Sequence, residues 1–208
     1  MNFDNVTFDS QEEIYFYWYL KELEEAGIIS NITYQPKPFL LASKKSLMFE
    51  QQLKTKSKAK EITLFSEHSY QADFMFWWND IARNKMFIRH NDILTQSFKN
   101  FPFIANSSKE IISSYSVVDV KGTFNQNNMH RIFSIDQKWI FQQFGVYIQK
   151  IITHPSINKK GKMVPASALF PNTFLPARFS LTDIAIKARK IKYNYLTLKE
   201  YLDLNDIR

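Results

Sequence analysis

Two of the most strand-prone runs in this chain are each interrupted by an aspartate. SYQADFMFWW (Ser69 to Trp78) carries Asp73, and SYSVVDVKGTF (Ser114 to Phe124) carries Asp119 with Lys121 two residues on. Aromatic and β-branched residues ask for a sheet, while aspartate is disfavoured in strands and costs free energy when buried without a partner. Residues two apart on a strand share a face, so Asp119 and Lys121 project together. In the first run the same alternation puts Tyr70, Ala72, Phe74 and Phe76 on one face, opposite Gln71, Asp73 and Met75. If the two strands are neighbours in register, their carboxylates converge and repel. A divalent cation relieves such repulsion, and Mg²⁺ characteristically takes one or two carboxylates plus substrate phosphates. The alternative is a solvent-facing pair of acids, with Lys121 as an ordinary surface partner.

Other elements fall around these runs. After VTFDS, the residues Ile14, Tyr17, Trp18, Leu20 and Leu23 mark one side of a helix that stops near Gly27. Ser10 and Glu13 have the spacing of a capping box, in which Glu13 reaches back to the Ser10 amide. ITYQPKPFLL (Ile32 to Leu41) reads as an edge or irregular strand because of its prolines. KTKSKAK (Lys54 to Lys60) reads as a solvated loop, and EITLF (Glu61 to Phe65) as a short strand. The interval from 79 to 114 has no period-two pattern and is expected to be an insertion, a helix or a lid. His130 to Gly145 reads as a helix with a stripe of Ile132, Phe133, Ile135, Trp139, Ile140 and Phe144. VYIQKII (Val146 to Ile152) follows as a strand. The division expected is a core over 1–152 and an α-rich extension over 153–208, with TDIAIKARK and TLKEYLDL as its helical segments. The fold class is α/β, a mixed sheet flanked by helices.

The composition fits a globular chain: 208 residues, 45% hydrophobic and 23% charged. No apolar run approaches the ~20 residues of a membrane-spanning helix, and MNFDNVTFDSQEE lacks the chemistry of a signal peptide. There is no cysteine, which excludes disulfides and thiolate metal sites and suits a cytoplasmic location. Lysine and arginine exceed aspartate and glutamate by seven, a balance that favours phosphate backbones. Lys159, Lys160 and Lys162 around Gly161 are a candidate DNA-contact turn. The four histidines lack the i, i+4 spacing of a helical zinc site.

In order, FDSQEEIYFYWYLKELEEAGIISNITYQPKPFLL, YQADFMFW, VVDVKGTF and IDQKWIFQQFGVYIQKI resemble the PD-(D/E)XK nuclease superfamily. Within it they look like small phage-encoded endonucleases related to Holliday-junction resolvases and to the nuclease subunits of transposition systems. The resemblance runs from Phe8 to Ile152, with Ala72 in place of the proline of the family name. It implies a restriction-endonuclease-like core in αβββαβ order. Glu13 would be the helix acid, Asp73 the metal-bridging aspartate, Asp119 the final acid and Lys121 the lysine, with the Val120 carbonyl as a further metal ligand. It implies Mg²⁺, with Mn²⁺ as a substitute, and DNA as substrate; a homodimer would suit cutting both strands. The alternative function is an inactive nuclease-fold protein that binds DNA or takes part in virion assembly.

Overall fold

The computed structural model describes residues 2–3, 6–53, 56–92, 102–108, 113–122, 129–157, 160, 163–164, 167–179 and 195–207. The chain opens with a two-residue ladder, β1 (Asn2–Phe3) against β2 (Val6–Thr7), followed by α1 (Gln11–Glu25). Strands β3 (Ile29–Tyr34), β4 (Phe39–Ala42), β5 (Lys45–Gln52), β6 (Ser57–Phe65), β7 (His68–Tyr70) and β8 (Phe74–Trp78) come next. β9 (Phe87–Arg89), β10 (Phe103–Ser107) and β11 (Ser114–Val120) lead into α2 (Met129–Phe144) and β12 (Ile148–Ile151). The chain ends with the short ladder β13 (Ser156–Ile157) and β14 (Met163–Val164), then α3 (Leu169–Asn172) and α4 (Leu198–Leu204).

The architecture is mixed α/β around a six-stranded mixed sheet in the order β3-β8-β11-β10-β9, with β12 also on β11. β11 is the hub. One edge pairs antiparallel with β8, Ser114 opposite Trp78 through Val118 opposite Phe74. The other edge pairs first with β10 and then, from Val117 to Val120, in parallel with β12. A strand paired on both edges and covered on both faces must be apolar. Val118 and Val120 accordingly join the α1 side of the core, and Val117 joins a smaller cluster with Phe133 and Ile140 of α2.

Helix α1 is capped by Ser10, whose hydroxyl accepts from the Glu13 amide. It is buried more widely than one stripe predicts. Phe16 lies edge-on to Phe74 at 5.3 Å, while Tyr19 stacks on Phe174 at 4.1 Å and Tyr15 meets Phe179 at 4.2 Å. The sheet covers one side of the helix and residues beyond 152 cover another. Phe170, Phe174, Phe179, Tyr201 and Ile207 share the main core cluster with α1.

Several local expectations are corrected. The run from Ser69 to Trp78 is two strands, β7 and β8, broken at Gln71–Asp73. The break moves Tyr70 and Ala72 to the α2-side cluster while Phe74 and Phe76 stay under α1. Residues 57–60 of the expected lysine-rich loop are strand, part of the nine-residue β6. Where it is described, the interval 79–114 holds a one-turn 3₁₀ helix (Asp80–Ala82) and adds β9 and β10 to the sheet; residues 93–101 and 109–112 lie outside the described residues. On α2, Phe133 and Ile140 are buried, but Ile132, Ile135 and Phe144 are exposed, and the buried face is completed by Asp136. TLKEYLDL forms α4 with a full Thr197–Glu200 capping box, and TDIAIKARK lies outside the described residues. No helix among the described residues is long and apolar enough to cross a membrane.

Candidate acidic site at the end of strand β11

The break before β8 is what creates the site. Asp73 keeps sheet-like backbone bonds, its amide donating to Val118 O and its carbonyl accepting from Gln35 N, while its side chain turns along β11. There Asp73 Oδ2 accepts from the Val120 amide at 2.6 Å. Val120, expected as a carbonyl ligand, is therefore already tied to Asp73 through its N–H. Asp119 is 2% exposed, on the α2 face of β11, and Lys121 Nζ stands 2.8 and 2.7 Å from its two oxygens. Lys121 also lies over the Phe133 ring, 6.0 Å from its centroid.

The electrostatics follow from burial. Asp73 is pushed up to about 8, first by burial, then by the Asp119 carboxylate, with the Val120 amide opposing and Glu13 adding to the rise. Asp119 is also raised by burial, with Lys121 and its hydrogen bonds, including one with Asp73, pulling the other way. Two low-dielectric carboxylates in mutual contact retain a proton between them at neutral pH. Tyr70 is raised by burial and then by Asp119, with Asp73 and Asp136 adding to the effect. Behind it, buried Asp136 of α2 receives His68 at 2.9 Å.

Glu13 is 6% exposed, close enough to bear on Asp73, but its carboxylate is engaged. Oε1 accepts from the Ser10 hydroxyl at 2.7 Å; Oε2 accepts from the Tyr34 hydroxyl at 2.7 Å and from the Asp9 amide at 3.2 Å. The capping box is thus closed through the Asp9 amide and not that of Ser10. Burial, and then Glu13, raise the Tyr34 phenol. Glu12, one residue earlier, reaches the exit of β11: a Cβ on Gly122 would sit 3.5 Å from its Oε1.

The sequence-predicted set therefore divides. Asp73, Asp119 and Lys121 come together, and Glu13 stands beside them as a capping residue. Lys160 is exposed, and Lys159 and Lys162 lie outside the described residues. Tyr34, Tyr70 and Glu12 were missed. Their proximity depends on the chain break at 71–73 and on how α1 docks, and neither is visible in local periodicity.

Among the described residues no three imidazole or carboxylate groups form a preformed metal cage. Mg²⁺ does not need one, because it binds through one or two carboxylates and keeps waters or phosphates. The Asp73–Asp119 pair offers hard, oxygen-only donors, which is the donor chemistry that ion selects.

Residues 1–101 match the family model described as a protein of unknown function (DUF1064). That match includes Glu13, Tyr34 and Asp73 and stops before β11. No curated protein and no solved structure matches the chain.

Proposed function

We propose that this protein is a metal-dependent endonuclease hydrolysing DNA phosphodiester bonds, acting in phage DNA recombination, repair or the processing of branched DNA. The observation that carries the reading is the meeting of Asp73, Asp119 and Lys121 where β8 and β11 run side by side. The family resemblance of these segments and the excess positive charge support it further.

Asp73 and Asp119 would hold Mg²⁺ or Mn²⁺, with the Val120 carbonyl as a further donor; Glu13 acts by fixing Tyr34 and the entry to α1. A divalent cation bound there would polarise a phosphoryl oxygen and acidify a water. The chain's own groups do the rest. The Lys121 ammonium orients the attacking water and stabilises negative charge on the phosphate oxygens. To hold a cation, Asp73 would first release its retained proton to solvent. The Val120 amide holds Asp73 in one rotamer, so the pair stays pointed at the same space.

Plasmid nicking and four-way-junction cleavage, each with Mg²⁺ and with EDTA, test the proposal. Wild type should cut only with the metal, and Lys121→Ala and Asp119→Asn should not cut. If the wild type and both variants behave alike, the enzyme reading is wrong.

A further inference from the structure

Strands β5 and β6 form a two-stranded ladder that pairs with no other strand among the described residues. All of β6 is exposed, and so is all of β5 except Ser46, which is partly covered. A nine-residue strand spans roughly 30 Å, so this is a long arm. Isolated hairpins are marginal in water, and one this long with Leu47, Met48, Phe49, Ile62 and Leu64 in solvent calls for a partner.

The register states what kind of partner. Leu47 pairs with Ile62, Phe49 with Lys60, and Gln51 with Lys58. Cross-strand partners share a face, so one face carries Leu47, Phe49, Gln51, Lys58, Lys60 and Ile62. The opposite face pairs Met48 with Glu61 and Glu50 with Ala59. Both acids of the ribbon are therefore on one face, where Lys44 stands 3.5 Å from Glu61. On the other face no acid pairs with Lys58 or Lys60 among the described residues, and these lysines are interleaved with an aromatic. Between Lys44 and Phe65 the sequence holds six lysines and two glutamates, a surplus of four out of the chain's formal +7. A second copy laid on this face would set lysine against lysine. A polyanion would not.

The ribbon is joined to the acidic site through the chain. Its strands continue from β4 and into β7, which pair with each other, Phe39 opposite Tyr70. β7 ends at Tyr70, three residues before Asp73. We propose that the β5–β6 ribbon is a DNA-binding arm that lays its Lys58/Lys60/Phe49 face against duplex DNA and directs the phosphate backbone toward Asp73 and Asp119. A two-stranded β-ribbon fits the B-form major groove, whereas the deep, narrow groove of duplex RNA does not admit one. The last clause of the proposal rests on the nuclease reading; the binding does not.

The test is fluorescence anisotropy of a labelled DNA duplex in EDTA, across about 50 to 200 mM salt. Wild type is compared with the Lys56→Ala/Lys58→Ala/Lys60→Ala variant, with Phe49→Ala, and with a Ser57→Ala/Thr63→Ala control on the opposite face. Each phosphate no longer neutralised lowers the slope of log K on log salt by about 0.9, so the triple variant should lose about 2 to 3 from that slope and at least about tenfold in affinity. Phe49→Ala should weaken binding with the slope kept, the control should bind as wild type, and duplex RNA should bind more weakly than DNA. Equal slopes and affinities for wild type and the triple variant overturn the proposal. So does a wild-type dimer that Phe49→Ala splits without change in DNA affinity, which would make the ribbon a self-association surface. If the wild type binds through the ribbon but never cuts, the nuclease reading fails and the arm stands. If the triple variant binds and cuts as wild type does, the arm fails and the nuclease stands.

Discussion

Replacing Asp73 with asparagine should stabilise the metal-free protein at neutral pH, by an amount that grows as pH rises. In the folded chain Asp73 is pushed up to about 8 from an ordinary 3.8, by burial and then by Asp119. Between these values the folded state holds a proton that the unfolded chain has released. Stability therefore falls as pH rises through this window, by up to about 1.4 kcal/mol per pH unit. Below pH 4 the group contributes nothing, and at pH 7 the ceiling is about 4 kcal/mol. Partial access of solvent and the proton shared with Asp119 bring the expected effect nearer to about 2 kcal/mol. Asparagine keeps an acceptor for the Val120 amide and presents a donor to Asp119, so the backbone connection survives while the titration disappears. Urea unfolding at pH 4, 6 and 8 in EDTA would read the difference directly. The stability gap between Asp73→Asn and wild type should be near zero at the acid end and widen steadily toward pH 8. A gap that is independent of pH, or a variant less stable throughout, would refute the reasoning.

Three further outcomes follow from particular contacts. Lys121→Ala leaves the carboxylate of Asp119, 3% exposed, without its ammonium; we expect a loss of about 1 to 3 kcal/mol at neutral pH, recovered on acidification as Asp119 protonates, together with at least ~100-fold slower nicking. Chemical denaturation at two pH values and the nicking assay check both parts. Glu13→Ala removes the acceptor for Ser10, Asp9 and Tyr34 and should cost about 1 to 2 kcal/mol, whereas Glu13→Gln should retain most of it. Equal losses in the two variants would mean that Glu13 acts through its charge and not its cap. Phe174→Ala, at a residue with no exposed surface stacked on Tyr19, should cost about 3 to 5 kcal/mol in a thermal or urea melt. A small loss there would mean that the segment beyond 152 does not share the core of α1.

The sheet was legible in the sequence wherever a strand was long and apolar. β8, β11 and β12 announce themselves by valine, isoleucine and aromatics, and Ser10 and Gly27 bracket α1 as capping chemistry requires. What escaped was set by long-range packing. α1 buries Phe16 against Phe74 and Phe76 of the sheet, and it buries Tyr15 and Tyr19 as well because residues 169–179 fold back over it. The exposure of Ile132 and Ile135 on α2 could not be read from a stripe, since helical spacing of apolar residues does not say which neighbour will cover them. β9 and β10 lack the alternation that marks a half-exposed strand because they are buried and short. Within the site, Asp73, Asp119 and Lys121 stood out because acids inside apolar strands need a reason. Tyr70 did not, since the strand break that turns it toward Asp119 leaves no signal in the alternation.

The pairing of Asp73 and Asp119 as one cation site is the claim on which the chemistry depends, and Mn²⁺ binding followed by electron paramagnetic resonance tests it without any substrate. Wild type should show one saturable site, with a proton released on binding at pH 7, and that site should be lost in both Asp73→Asn and Asp119→Asn. Mn²⁺ that stays free in the presence of wild type, or binds equally well to the two variants, would contradict it.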